Sequence, residues 1–186
     1  MTAKHVDLDP IAEALEQMPY GLYIIGSRSG SSGGPGHSEE INGMMADWLM
    51  QVSFTPRLLG LSLENNSTTL RFVRETGVFS VNLLPATGRE LAAKFCQPRD
   101  ASKIQGRSET AAAVIYEKFR GVEWQEGAQT RCPILLDAIA FLECETQDLF
   151  PAGDHTLLTG RVINGAVLNY EAEPLTQRIL GWSYAG

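Results

Sequence analysis

The residues predict a mainly β protein, an antiparallel sheet or barrel with peripheral helices. Three observations carry that expectation. Segments rich in β-branched and aromatic residues recur from residue 20 to residue 168. Helical patterns interrupt them singly, never in the regular alternation of strand and helix that a doubly wound parallel sheet requires. No repeat or compositional shift divides the 186 residues, so a single domain over 1–186 is expected.

The elements follow in order. Asp9 before Pro10 supplies an N-cap acceptor and a proline at the first helical position. Ile11, Ala14, Leu15 and Met18 share one face of that helix, Glu13 and Glu16 lie opposite, and Pro19 ends it. Residues 20–27 read as a strand. Residues 30–36 hold four glycines and read as a flexible connection. No lysine follows to make a phosphate loop, and Arg28 stands where a nucleophile elbow needs serine. Strands are expected over 41–48, 50–55 and 58–63. Ser67 caps a helix over 68–76 that Gly77 stops, with Leu70 and Val73 on its buried face. Residues 78–84 alternate as a half-buried strand does. Thr87 and Glu90 fit a capping box for a helix carrying Leu91, Ala92 and Phe95. A polar loop over 98–108, a helix over 111–119, strands over 122–125, 138–146 and 155–168, and a short helix within 174–180 complete the chain.

Composition excludes several functions. Lys and Arg number 15 against 22 Asp and Glu, a net charge of −7. That balance opposes binding to nucleic acid or anionic lipid, both of which need a cationic surface. Cys96, Cys132 and Cys144 form no CxxC pair, and His5, His37 and His155 have no second ligand at metal spacing, so no metal site is expected. Residues 1–10 lack a signal-peptide core, and no apolar run is long enough to cross a membrane, so a reduced, cytoplasmic protein is expected. The sequons at Asn65 and Asn66 then count as chance matches.

Three stretches can carry chemistry. In the first, a strand ends at Glu64-Asn65-Asn66 and Ser67-Thr68-Thr69 opens a helix. These residues serve either as plain capping or as an anion cradle of amides and hydroxyls. In the second, Gly43 and Ala46 admit a flat ligand while Met44, Met45 and Trp48 pack on its ring; the alternative is an ordinary core strand. In the third, Gly153-Asp154-His155 is either a solvated turn or a placement of His155 beside a ligand.

Taken together and in order, these stretches resemble a known family. The run Asn42-Gly-Met-Met-Ala-Asp-Trp-Leu-Met-Gln-Val-Ser53 is similar to the N-x-M-T-A-S-W-x-x-Q-V-S segment of the flavin reductase-like, FMN-binding split-barrel family. Pro56, Ser67-Thr68-Thr69, Gly77-Val-Phe79, Val81-Asn-Leu-Leu84, Leu91-Ala-Ala-Lys-Phe95, Lys118-Phe119, Pro133-Ile-Leu-Leu136, Leu142-Glu-Cys144 and Gly153-Asp-His155 follow in family order.

The resemblance implies an antiparallel Greek-key split β-barrel with flanking helices, usually a homodimer with flavin near the subunit interface. It implies flavin contacts at Met45, Ala46, Asp47, Trp48 and Gln51, and a phosphate turn at Ser62, Asn65, Ser67 and Thr69. Asn82 matches a family asparagine, and His155 a histidine beside flavin and nicotinamide. The cofactor implied is FMN, with FAD as the alternative, and NAD(P)H as donor passing hydride to the flavin N5. Reduced flavin then goes to a partner oxygenase or passes electrons to a protein. A tight FMN-binding electron-transfer protein of the flavoredoxin kind and a non-redox binding module are the other readings. Met45 stands where the family has Thr and Asp47 where it has Ser, and Glu64 sits beside the phosphate turn.

Overall fold

The protein is described from a computed structural model covering residues 9–30, 39–97 and 117–181. Seven strands make one antiparallel sheet. They are β1 (Tyr23–Arg28), β2 (Ile41–Ala46), β3 (Leu49–Phe54), β4 (Arg57–Glu64), β5 (Val78–Leu83), β8 (Ala140–Ala152) and β9 (His155–Val167), in the order β2-β1-β5-β8-β9-β4-β3. A separate pair joins β6 (Trp124–Glu126) to β7 (Pro133–Leu135).

The sheet is open, yet its chain path forces it to curl. β2 and β3 are its two edges, but only Asp47 and Trp48 separate them in sequence. Three peptide steps reach about 11 Å. Seven strands laid flat would put the edges about 29 Å apart. The edges therefore meet, and the seam of this split barrel falls at residues 46–49. Trp48 O accepts from Ser62 N at 3.0 Å, tying the seam to β4.

The inside of the curl is filled by Ile25, Leu61, Leu63, Phe79, Val81 and Leu158. Helix α2 (Thr68–Thr76) adds Leu70 and Val73 to this core. Its cap is the expected one: Ser67 Oγ accepts from Leu70 N at 3.2 Å, and Gly77 closes it at φ 70°. A second core lies outside the sheet, where Leu22, Ile24, Phe95, Leu135 and Leu180 pack beneath α3 (Arg89–Cys96) and α4 (Gln177–Leu180).

Several expectations need correction. The strand expected over 41–48 stops at Ala46, because the seam turns there. Residues 78–84 are not half-buried: Ser80 and Asn82 are enclosed as fully as Phe79 and Val81. The cover is β7, a strand the sequence did not suggest, whose Pro133 O accepts from both Ser80 and Asn82. The capping box at Thr87 is absent. Gly88 takes the N-cap of α3 without a side-chain bond, since the Pro85–Gly88 turn delivers the chain one residue later. The apolar face of α1 (Pro10–Leu15) is uncovered, with Ile11 70% exposed. The loop expected over 98–108 and most of the helix expected over 111–119 lie outside the described residues; Lys118 and Phe119 belong to a turn.

One buried carboxylate holds the barrel's far side. Glu143 on β8 is wholly enclosed and accepts from Gln129 N, Thr130 N, Thr130 Oγ1 and Asn164 Nδ2 at 2.6–3.0 Å. Burial works against its charge, but these donors outweigh it and hold the carboxyl below its ordinary value.

Candidate flavin cleft at the barrel seam

The seam opens on a cleft of about 400 Å³, within the usual range for a small-molecule site. β2, β4, α2, α3 and the β8–β9 hairpin converge on it. β2 and the seam supply Asn42, Met44, Met45, Ala46, Asp47 and Trp48. β4 and the α2 N-terminus supply Ser62, Glu64, Asn66, Ser67, Thr68 and Thr69. The end of α3 and the following turn bring Cys96, Gln97 and Lys118, and the β8–β9 hairpin brings His155.

A polar part of the lining is built on α2. Its first-turn amides have no acceptor within the helix and carry the positive end of its dipole. The Ser67 hydroxyl is spent on capping. Thr69 Oγ1 accepts from Asn42 Nδ2 at 2.9 Å, which fixes both side chains. The capping reading of Ser67 is the one observed.

Aromatic and thioether side chains, Trp48, His155, Met44 and Met45, line the same cleft. The Trp48 and His155 rings lie 4.9 Å apart at 46°. His155 Nδ1 is 2.7 Å from Asp154 Oδ1, and that contact holds the exposed Asp154 carboxyl below its usual value. His155 is placed by a clamp on the hairpin turn. Asn65 N donates to Asp154 O at 3.0 Å, Asn65 Nδ2 to Gly153 O at 3.1 Å, and Thr156 Oγ1 to Asn65 Oδ1 at 2.7 Å.

Asp47 is buried in the cleft wall, and its Oδ2 accepts from Gln177 Nε2. Burial pushes its carboxyl above the ordinary value, more than its hydrogen bonds and the nearby His155 pull it back.

Of the residues expected at the site, Met45, Ala46, Asp47, Trp48, Ser62, Ser67, Thr69 and His155 line one cleft. Asn65 lies behind it as the hairpin clamp and lines a neighbouring groove with Arg71 and Arg74. Gln51 and Asn82 are not brought there. Gln51 is exposed on β3 and donates to Ser53 O. Asn82 donates to Ile24 O and Pro133 O and accepts from Leu135 N, so its side chain is consumed in tying β5 to β1 and β7. The sequence reading missed Lys118, Cys96 and Gln97 as cleft residues. Nothing in their spacing marks them; only the fold brings them to β2. Among the described residues no cluster of three metal-ligating side chains occurs, and no helix is long and apolar enough to cross a membrane.

A helix N-terminus together with aromatic and thioether side chains on one cleft suits a flat ring system carried on a phosphate-bearing chain. The chain matches the flavin reductase like domain over residues 15–178, and it belongs to that family. Two relatives are a Kitasatospora aureofaciens flavin reductase (NADH), 28% identical over 86% of this chain and 72% of its own, and a Rhizobium meliloti protein described as a probable flavin reductase, 28% identical over 87% of this chain. This chain spans only 44% of the Rhizobium relative's length. The solved structure of the Streptomyces globisporus NADH:FAD oxidoreductase SgcE6, in complex with NAD and FAD fragments, shares the fold. Its TM-score is 0.71 at 23% identity, over 91% of this chain and 90% of its own.

Proposed function

We propose that this chain is an NAD(P)H-dependent flavin reductase, and that the seam cleft holds the flavin. The observation that carries this reading is the convergence of the α2 N-terminus and the Trp48–His155 wall on one cleft of suitable size. The names of its relatives, flavin reductase (NADH) and NADH:FAD oxidoreductase, support the same reading. The bound flavin supplies the hydride-accepting chemistry. The chain supplies the rest. The α2 amides neutralise a phosphate, Met44, Met45 and Trp48 exclude water from a ring, and Asn65 fixes the turn that carries His155. The ribityl phosphate is common to FMN and FAD, and FMN is the minimal ligand that has both ring and phosphate.

Reduced flavin then serves a partner oxygenase, and the chain works as a homodimer. Support for the dimer is the exposed apolar surface on the edge strand β3, where Met50 is 67% and Phe54 86% exposed.

The test is the visible spectrum of purified protein after FMN or FAD is added and excess removed, followed by NADH and NADPH oxidation. Turnover that depends on flavin is expected. Retained flavin without turnover would favour the electron-transfer alternative, and neither binding nor turnover would sink the reading.

A further inference from the structure

We propose that Asn65 is a positioning residue for flavin reduction: its side chain fixes the turn at Gly153 and Asp154 and so sets the His155 ring in the cleft, instead of contacting the flavin phosphate. This rests on the flavin reading above and on the part that reading gives His155.

The hairpin that carries His155 has little else to hold it. β8 and β9 meet in a two-residue turn, with Ala152 paired to His155 across it and Gly153 left-handed at φ 64°. Residues 147–154 are all exposed, so no core packing holds that side of the tip. A tip of this kind opens easily unless something beyond its own ladder ties it down. The pairing of β4 with β9 ends at Glu64 and His155.

Asn65 is the next residue, and it takes over where the ladder stops. Its main-chain amide donates to Asp154 O at 3.0 Å, its Nδ2 donates to Gly153 O at 3.1 Å, and its Oδ1 accepts from Thr156 Oγ1 at 2.7 Å. These three bonds reach Gly153, Asp154 and Thr156, the residues on either side of His155. Arg74 Nη2 on α2 donates to the same Thr156 hydroxyl at 3.2 Å, which ties the clamp to the helix. Both ends of the Asn65 amide are thus bonded to the hairpin.

The other contacts of His155 cannot replace this clamp. The Asp154 carboxylate beside its Nδ1 is 94% exposed, and an ion pair so open to water holds its partner weakly. The contact with the Trp48 ring, at 4.9 Å, follows wherever the hairpin carries the imidazole. A misplacement of about 1 Å at a reacting centre can cost about a hundredfold in rate. A phosphate contact at residue 65 would be read as FMN affinity, whereas a positioning residue is read as reduction rate.

The experiment measures stopped-flow reduction of bound FMN by NADH and NADPH, with the Kd of FMN and of riboflavin. It compares unaltered protein, Asn65→Ala, His155→Ala and the double variant. Asn65→Ala is expected to lower the limiting reduction rate about tenfold while both Kd values move by less than about twofold. Added to His155→Ala, it is expected to lower the rate by less than about twofold, because both changes act through one ring. Asn65 is exposed and lies outside both cores, so these variants are expected to fold. Asn65→Asp, which keeps the acceptor for Thr156 and loses only the donor to Gly153, repeats the test with a smaller fall in rate. An unchanged rate in Asn65→Ala overturns the proposal, and so does a full tenfold loss on the His155→Ala background. A weaker FMN Kd with riboflavin spared and the rate kept makes Asn65 a phosphate contact and overturns it too. If neither nicotinamide reduces flavin in unaltered protein, the flavin reading falls and takes this with it. If unaltered protein turns over and His155→Ala matches it, the role of His155 falls and takes this with it; if only Asn65→Ala is without effect, the role of Asn65 alone falls.

Discussion

Ser67 caps α2 and is a proposed phosphate contact, and a single substitution separates the two roles. Its hydroxyl caps α2 and sits at the proposed phosphate position. Removing it by Ser67→Ala would lose about 1 kcal/mol of cap stability and so confuse the two roles. Aspartate caps as well as serine but brings a negative charge. Ser67→Asp is therefore expected to leave the melting temperature nearly unchanged, to weaken FMN by about tenfold or more through charge repulsion, and to leave riboflavin, which has no phosphate, unaffected. Isothermal titration with both ligands checks this, and equal losses for the two would place the phosphate elsewhere. His155 makes a contrasting case. Its ring packs against Trp48 in the cleft. His155→Ala is expected to slow flavin reduction by NAD(P)H in stopped flow by more than it raises the FMN Kd. Equal reduction rates in variant and unaltered protein would remove His155 from that role.

Among the elements, β8 is expected to contribute to acid-side pH dependence through Glu143. A carboxyl held below its ordinary value stabilises the fold above its unfolded pKa of about 4.3, and that stability drains away as pH falls through the lower folded value. Glu143→Gln cannot accept from Asn164 with its amide nitrogen. It is expected to lose about 2–3 kcal/mol near neutral pH and to flatten the decline in stability between about pH 5 and pH 3. Urea melts across that range check the sign; a decline as steep as in unaltered protein would assign it to other carboxylates. Elements whose signals are local were readable beforehand: α2 has Ser67, a buried stripe and Gly77 in one short run, and it is observed where it was expected. Elements set by distant packing were not. β7 is three residues long and exists because Ser80 and Asn82 on β5 need acceptors and donors there. Thr87 matched a capping pattern, but the turn at Pro85 decided where α3 begins. The cleft divides in the same way. The residues at 45–48 and 62–69 are contiguous and could be named from sequence, whereas Lys118, noted only as part of the family-order Lys118-Phe119 pair, reaches Gly43 across 75 positions and could not be assigned to the cleft without the fold.

For the molecule as a whole, the curled sheet leaves two edge strands, β2 and β3, each hydrogen-bonded on a single side, and β3 is the one with exposed apolar side chains. Such an edge invites pairing unless it is charged or covered. Here it is neither: Met50, Val52 and Phe54 face solvent along it, and Leu149, Phe150 and Leu157 are exposed on the β8–β9 hairpin. The hairpin lies two strands away through β4, so both groups belong to the half of the sheet that ends at the seam. A second copy covering this half would close the edge and stand next to the cleft. The proposed homodimer therefore predicts that unaltered protein sediments at twice the chain mass at micromolar concentration. Phe54→Arg separates an interface from an incidental apolar surface. On a monomer, a change at so exposed a position moves stability by no more than about 0.5 kcal/mol. At a dimer core it buries an unpaired charge and shifts the protein to single chains. A monomeric unaltered protein, or a Phe54→Arg variant still fully dimeric, would move the interface away from β3.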